Sequence, residues 1–309
     1  MAGMSADMPI TRGVLAAVLT PLCDDLAPDH ETFIAHCRNL LATGCDGLAV
    51  LGTTSEANSF SVEERIGLLE ALADAGIPGG RLIPGTGCCA FPDTVGLTKR
   101  AVELGAAGVL MLPPFYYKPV TEDGLFASYS EVIERVGDSR LHVYLYHIPQ
   151  NTGVPIERGL IERLLARYPD TVVGMKDSGG DFAHMKAMCD AFPGFRVFSG
   201  SDTFLLDLLR AGGAGCITAC NNIAAPRAAR VFARWREKDI EALNADYVAA
   251  RTAVQQFPLI EALKETMALS TGRASWRRLR PPLLPLSSAQ SRALGAALAK
   301  IGLLPAPVA

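Results

Sequence analysis

A lysine at the end of a short apolar run is the side chain best suited to covalent chemistry in this sequence. Lys176 closes the run Val172–Met175, and a polar, glycine-rich turn follows it. A run that is apolar throughout predicts a buried strand, which places the amine at the end of that strand. Lysine is rarely buried, and a partly buried amine loses its proton more easily. A neutral amine attacks carbonyl carbons, so Lys176 is a candidate nucleophile.

Other polar side chains follow apolar runs in the same way. Thr53 and Thr54 come after a run that ends at Gly52, and their hydroxyls and backbone N–H groups suit a carboxylate. The alternative is that they only cap the next helix. Tyr146 could move a proton or be a core tyrosine. His147 could bind a metal or act as a base, but no carboxylate or second histidine stands at ligand spacing, which favours a structural role.

Three further runs end in features that could shape a site. Residues 113–119 combine aromatic side chains with prolines, which predicts either an interface or a packing patch. Gly200 ends another run and is followed by Ser201 and Asp202, which could equally cap a helix. Small residues follow Ile217 and leave room above it.

These polar ends belong to a repeating pattern of strand and helix. Apolar runs without alternation are typical of parallel strands covered on both faces. Eight strand–helix units predict an α/β fold, a (β/α)₈ TIM barrel, whose active site lies where the strands end. The eight runs span residues 14–21, 47–52, 81–85, 108–113, 141–146, 172–176, 196–200 and 215–219.

The remaining residues predict a small helical appendage. Helical periodicity covers residues 240–256, 259–270 and 287–301, and a proline-rich joint covers 277–285. We therefore expect a catalytic barrel over residues 1–236 and a C-terminal helical domain over residues 237–309.

Composition narrows the class of protein. The chain has 309 residues, a net charge of −3 and 8 cysteines. The near-neutral charge gives no basic field for nucleic acid or an anionic membrane, and no apolar run reaches membrane-spanning length. Without a signal-peptide pattern, reduced thiols are expected, as is a cytoplasmic location. No Cys or His set has metal-ligand spacing.

Four motifs occur in an order that resembles a known enzyme family. They are Gly52–Thr54, Pro114–Tyr116, Tyr146–Pro149 and Gly174–Asp177. Together they resemble the Schiff-base-forming, pyruvate-dependent aldolases that include dihydrodipicolinate synthase and N-acetylneuraminate lyase. The resemblance covers nearly the whole chain.

The resemblance implies a role for each motif residue. Lys176 matches the Schiff-base lysine, and Tyr146 matches the tyrosine that relays protons above it. Thr53 and Thr54 match the pair that binds the pyruvate carboxylate. Tyr116 matches a tyrosine that reaches across a subunit interface to complete a relay.

The resemblance also implies which residues line the substrate pocket and how many copies of the chain assemble. Gly200 and Ile217 match positions that line the pocket, Ile217 through its backbone. Members are commonly homotetramers built as dimers of dimers, and the chemistry needs neither metal nor cofactor.

Several positions depart from the family pattern. Ser55 replaces a glycine of the carboxylate turn, and His147 replaces an asparagine. Asn151 stands where the synthase has the arginine that holds its second substrate. Asparagine cannot form a charge-assisted bidentate contact, which typically contributes about 1.5–3 kcal/mol. Thr203 and Ala219 break the sugar-binding pattern of the sialic-acid lyases.

These residues predict a class I lyase or aldolase that makes or breaks a C–C bond next to an imine of pyruvate or another 2-oxo acid. A dehydratase of a 2-keto-3-deoxy sugar acid would use the same imine, and dihydrodipicolinate synthase itself stays an alternative. A barrel that only binds ligands is a hypothesis of a different class. Adduct formation without turnover would favour it.

Overall fold

The computed structural model describes residues 10–304, and its centre is a sheet of parallel strands. The strands pair in the order β2–β1–β7–β6–β5–β4–β3. Their bounds are Gly13–Ala17 (β1), Gly47–Ala49 (β2), Val109–Met111 (β3), Val143–His147 (β4), Val172–Asp177 (β5), Arg196–Ser199 (β6) and Gly215–Thr218 (β7).

The third predicted strand, residues 81–85, differs from the prediction because it forms no regular strand. It nevertheless lies between β2 and β3: the Ile83 N–H donates to the Leu48 carbonyl at 2.9 Å, and the Leu110 N–H donates to the Pro84 carbonyl at 2.8 Å. Proline has no N–H, so Pro84 interrupts the ladder. The segment still bridges the two edge strands, and the predicted TIM-barrel architecture is confirmed.

Helices surround this sheet. Their bounds are His30–Ala42 (α1), Val62–Asp74 (α2), Phe91–Glu103 (α3), Glu122–Val136 (α4), Pro149–Thr152 (α5), Arg158–Arg167 (α6), Phe182–Ala191 (α7), Leu205–Arg210 (α8), Asn221–Arg234 (α9), Ile240–Val254 (α10), Leu259–Thr271 (α11) and Ser288–Lys300 (α12). Ser61 and Glu64 form a capping box at the start of α2, because each side chain accepts the other residue's backbone N–H. None of the helices in residues 10–304 is long and apolar enough to cross a membrane.

Side chains fill the inside of the barrel in a layered core. Leu15, Tyr144, Phe198 and Ile217 belong to one buried cluster that also includes Tyr146. A second, larger cluster packs the outer strand faces against the helices. The register pairs Tyr146 of β4 with Lys176 of β5, so neighbouring strands carry the two polar side chains side by side.

The C-terminal helices pack on the face where the strands end. Leu19 follows β1, Ala219 follows β7, and both share a buried cluster with Leu263 and Trp276. The fully buried Tyr247 of α10 donates to the Asp202 carboxylate at 2.6 Å. Residues 235–239 separate α9 from α10, which is where the sequence predicts the domain boundary.

Candidate active site

A lysine, a tyrosine and a threonine meet at the mouth of the barrel. The Lys176 ammonium donates to the Tyr146 hydroxyl at 3.1 Å, and that hydroxyl lies 3.3 Å from the hydroxyl of Thr53. Lys176 is 5% exposed and Tyr146 is 3% exposed. The structure therefore brings together three of the residues that the sequence singles out, on three different elements.

The environment of Tyr146 makes its hydroxyl more acidic. Burial by itself raises the pKa of Tyr146. The positive charge of Lys176 and hydrogen bonds from Thr53, Lys176 and Ser178 act in the opposite direction, and together they lower that pKa below its ordinary value. A phenol with a lowered pKa exchanges a proton more readily near neutral pH.

The threonine pair lies on a short 3₁₀ turn, Thr53–Ser55, directly after β2. N–H groups at the start of such a turn have no partner within it, so they remain available to an anion. Ser55, which replaces a glycine of the family motif, is fully buried. Its hydroxyl donates to the Val18 carbonyl at 2.5 Å and accepts the Gly52 N–H at 3.3 Å. The additional hydroxyl thus fastens the turn to the end of the β1 segment.

Gly200 and Ile217 lie where the neighbouring strands end. Ile217 is fully buried in the barrel interior. A Cβ on Gly200 would stand 1.9 Å from the Ser178 hydroxyl. Gly200 is therefore needed to make room for Ser178, a residue that the sequence analysis missed. The signal was available, because Ser178 stands two positions after Lys176.

Tyr116 and Asn151 lie outside this group within one chain. Tyr116 is 75% exposed, and its ring packs edge-to-face against Tyr117 with centroids 5.3 Å apart. Asn151 lies on the short helix α5 and is exposed. A single chain does not bring either side chain to Lys176.

Comparison with known proteins places this geometry in a family. The model of the Dihydrodipicolinate synthetase family matches residues 10–301. The chain belongs to that family. It is 40% identical to an uncharacterised DapA-like lyase from Chloroflexus aurantiacus, over 94% of this chain and 97% of the relative. It is 33% identical to the 4-hydroxy-tetrahydrodipicolinate synthase of Kineococcus radiotolerans, over 96% and 94% of the two chains.

Solved structures of the dihydrodipicolinate synthase family share the same fold. Dihydrodipicolinate synthase from Agrobacterium tumefaciens superposes with a TM-score of 0.87 at 29% identity, covering 94% of this chain and 99% of that one. YagE, a prophage protein of the family from E. coli K12 solved in complex with pyruvate, gives a TM-score of 0.85 at 27% identity, covering 94% and 99% of the two chains. The predicted family and class of enzyme, a class I pyruvate-dependent lyase, are confirmed.

His147, which stands where the family has an asparagine, contacts side chains that its neighbours in the sequence do not reveal. Although no carboxylate or second histidine stands at ligand spacing from His147 in the sequence, Asp177 and His184 lie beside it in the structure. The rings of His147 and His184 stack with centroids 4.5 Å apart, and His184 contacts the Asp177 carboxylate at 2.6 Å. The residues are remote in sequence, and the α7 helix brings them together.

Backbone groups occupy much of this cluster. The Ile156 N–H donates to His147 Nδ1 at 3.0 Å, and the Gly179 N–H donates to an Asp177 oxygen at 2.9 Å. The two imidazole rings stack with an interplanar angle of 17°, and one ligand atom from each of His147, Asp177 and His184 lies within 4.8 Å of the others. The hydrogen bond to Asp177 raises the pKa of His184, and burial lowers the pKa of His147. The cluster fits a structural support behind the strand ends that carry Tyr146 and Lys176.

The segment after strand β6 contains Asp202 and then Thr203, the residue that departs from the sugar-binding pattern. The carboxylate of Asp202 is fully buried and accepts from Tyr247. The hydroxyls of its two chain neighbours, Ser201 and Thr203, lie 2.8 Å apart.

Proposed function

We propose that this enzyme forms a Schiff base between Lys176 and pyruvate, or a 2-oxo acid that releases pyruvate. The observation that carries the proposal is the 3.1 Å contact between the Lys176 amine and the Tyr146 hydroxyl in a buried site. An amine that exchanges its proton with a phenol can attack the keto carbon as the neutral nucleophile. The tetrahedral adduct then loses water and leaves an iminium ion.

Tyr146 serves as the proton carrier for these steps. It accepts a proton from the attacking amine and returns one to the departing hydroxyl, so that water leaves. The lowered pKa of Tyr146, which burial alone would raise but Lys176 and its hydrogen-bond partners reduce, supports this role. The Thr53 hydroxyl lies 3.3 Å from the Tyr146 hydroxyl and is the next group in the proton relay. The relay would continue through Tyr116 from a neighbouring chain.

Thr53 and Thr54 hold the carboxylate of the 2-oxo acid. The hydroxyls and free N–H groups of their turn suit two carboxylate oxygens. With the carboxylate fixed, the keto carbon stands over Lys176, and Gly200 and Ile217 line the space beside it. The C3–C4 bond of the substrate, one bond beyond the iminium carbon C2, then breaks: the C4 hydroxyl gives its proton to the Tyr146 oxygen, an aldehyde leaves, and the electron pair of the broken bond forms the C2=C3 double bond of an enamine as the iminium nitrogen is neutralised. In the opposite direction the enamine attacks an aldehyde.

The second substrate is a hydroxylated aldehyde, and the intact substrate is a keto-deoxy acid. Ser178, Ser201 and Thr203 supply hydroxyls around the mouth, and Asn151 supplies no cation. The synthase reaction needs a charged group for its second carboxylate, so it is the weaker alternative. Dehydration of a 2-keto-3-deoxy sugar acid through the same iminium is the second candidate, because the same hydroxyls would hold the group that leaves.

Trapping the imine tests the proposal directly. The protein is incubated with pyruvate and borohydride, and intact mass and peptide mapping locate the adduct. We expect a single adduct on Lys176 that is absent from Lys176→Met. An unmodified Lys176 would remove the core of the proposal.

A panel of keto-deoxy acids then separates the candidate reactions. Released pyruvate identifies a lyase, whereas loss of water alone identifies a dehydratase. An adduct without turnover of any substrate favours a barrel that only binds ligands.

The proposal extends to assembly and compartment. Tyr116 must come from a second copy to reach the site, which requires a dimer, and the resemblance to the family extends the proposal to a homotetramer built as a dimer of dimers. Eight free cysteines, two of them exposed, fit the reducing cytoplasm.

A further inference from the structure

We propose that the C-terminal helical segment positions the carboxylate-binding turn through Glu56, with Lys264 and Arg280 as the positioning residues. This inference rests on the proposed function, because it concerns how Thr53 and Thr54 are held. Glu56 directly follows the turn Thr53–Ser55, and both of its carboxylate oxygens are bound by residues more than 200 positions away in the chain.

The ion pair between Glu56 and Lys264 is completely enclosed. Both side chains have no exposed surface, and Lys264 also donates to the Arg278 carbonyl at 2.7 Å. Burial lowers the pKa of Lys264, and the Glu56 carboxylate opposes that change. A buried ion pair contributes little net stability compared with apolar residues of the same shape, so its value lies in fixing one arrangement.

The backbone of the loop needs such an anchor. Leu51 and Glu56 flank the segment Gly52–Ser55, and both adopt left-handed conformations, with φ of 58° and 59°. Side chains other than glycine rarely occupy this region, and they do so where the surroundings impose it. The contacts of the Glu56 carboxylate oppose relaxation of this conformation, which would move Thr53 and Thr54.

Arg280 completes the anchor from the proline-rich joint. Its backbone N–H donates to Glu56 Oε2 at 2.9 Å. Its guanidinium donates to Glu64 at 2.8 Å and to the Leu26 carbonyl at 3.0 Å. Arg280 thereby ties Glu56 to the start of α2 and to the loop after β1.

The chain offers a matched control on the same helix. Glu265, next to Lys264, is also buried and is bound by Arg277 at 2.7 and 2.9 Å. These contacts lie within the C-terminal segment. Glu265→Gln therefore disturbs an ion pair of the same segment whose carboxylate is buried, and it leaves the turn untouched.

The readout is the pyruvate concentration that half-saturates the borohydride-trapped adduct on Lys176, because it requires no second substrate. We expect Glu56→Gln and Lys264→Met to raise this concentration by about tenfold or more, which is the effect of weakening one charged hydrogen bond. The maximal trapped fraction should stay near that of the unmutated protein. Glu265→Gln should leave the half-saturating concentration within about twofold.

Thermal unfolding and circular dichroism on the same samples separate positioning from stability. The double variant Glu56→Gln/Lys264→Met leaves no unpaired buried charge, so we expect its melting temperature to recover relative to Lys264→Met while its half-saturating concentration stays raised. Lys264→Gln, which keeps a donor, replaces Lys264→Met if that variant does not fold.

Each outcome has a distinct meaning. A half-saturating concentration that is unchanged in folded Glu56→Gln and Lys264 variants, or one that recovers together with the melting temperature, would overturn the inference and leave the proposed function intact. An unmutated protein that forms no adduct would overturn the proposed function first.

Discussion

In the proposed mechanism, the chemistry depends on one amine and one phenol that adjacent strands hold 3.1 Å apart. Neither group is reactive by itself at neutral pH, because lysine is protonated and tyrosine is neutral. Placing them together in a buried site lowers the pKa of the phenol, and the phenolate can then take the proton of the amine. In the proposed mechanism, the hydroxyl of Thr53 donates to that phenolate and stabilises its charge.

Removal of one hydroxyl tests this arrangement. We expect Tyr146→Phe to lower kcat by about 100-fold, because water must then leave without a positioned acid. Steady-state kinetics of pyruvate release from a cleaved keto-deoxy acid measure the change. Tyr144→Phe is the control: Tyr144 stands two positions earlier on β4, is fully buried, and bonds Arg196 at 3.0 Å. An equal loss of kcat in both variants would contradict the role of Tyr146.

The sequence was informative about residues whose neighbours along the chain define their place. Lys176 could be placed because an apolar run precedes it and a turn follows it. The partners of His147 could not, because His184 reaches it only through the packing of α7. The partner of the Ser55 hydroxyl could not be predicted for a similar reason. That hydroxyl donates to the Val18 carbonyl, which comes near only when the barrel closes.

At the scale of elements, one side-chain amide holds the loop after β1 against two helices. Asn222 at the start of α9 accepts the Leu19 N–H at 3.0 Å and donates to the Ala17 carbonyl at 2.7 Å. These contacts fix which side-chain atom of Asn222 is oxygen. His36 of α1 lies 2.8 Å from that oxygen, so its Nε2 must carry a hydrogen. One amide therefore joins β1, α9 and α1.

His36 makes this junction sensitive to acid. Burial lowers the pKa of His36 from 6.5 to about 4, although its hydrogen bond to Asn222 opposes the change. The unfolded chain therefore binds a proton at a higher pH than the folded chain does. The stability that neutral His36 provides is complete above the unfolded pKa and is lost as the pH falls towards the folded one.

We expect the free energy of unfolding to drop by about 2 kcal/mol between pH 7 and pH 5 on account of His36 alone. Urea unfolding at the two pH values measures the drop. Other groups titrate as well, so the test is the difference from His36→Gln, which can still donate to Asn222. A variant that loses as much stability as the unmutated protein would show that another group causes the acid sensitivity.

Element boundaries were predictable where local rules dominate. Ser61 and Glu64 define the start of α2 through short-range hydrogen bonds, and the structure has them. The segment with Pro84 was predicted as a strand because it is apolar, and its backbone pairs on both sides without forming a regular ladder. In α9, Ala224 has a non-helical backbone (φ −132°, ψ 19°), so a separate first turn precedes the regular helix that contains Pro226, and Asn221 holds that turn through its donation to the Leu15 carbonyl.

At the scale of the whole molecule, the proposed mechanism needs a residue that a single chain does not bring to Lys176. The pair Tyr116 and Tyr117 is exposed, at 75% and 79%, beside prolines that hold the loop. Exposed aromatic side chains of this kind are typical of interfaces, where they bury a large area at low entropic cost. A relay that continues from Thr53 and Tyr146 to Tyr116 requires the tyrosine of a second copy.

Mixing two inactive variants tests whether the site is shared. A Lys176→Met chain has no nucleophile but carries Tyr116, and a Tyr116→Phe chain has the nucleophile but lacks that hydroxyl. In a hybrid dimer, the Lys176 of the second chain meets the Tyr116 of the first, so one of the two sites is complete. We expect unfolding and refolding of an equal mixture to restore activity to about a quarter of the unmutated level, since about half of randomly paired dimers are hybrids.

Each variant refolded alone is the control, and sedimentation of the mixture checks that it assembles. Activity that does not rise above the sum of the two controls, in a mixture that has assembled, would show that Tyr116 acts within its own chain or not at all. Recovery to the expected level would mean that the oligomer is required for catalysis because each chain supplies a hydroxyl to its neighbour. Dissociation on dilution should then lower kcat, while the Lys176 adduct with pyruvate still forms in the separated chains.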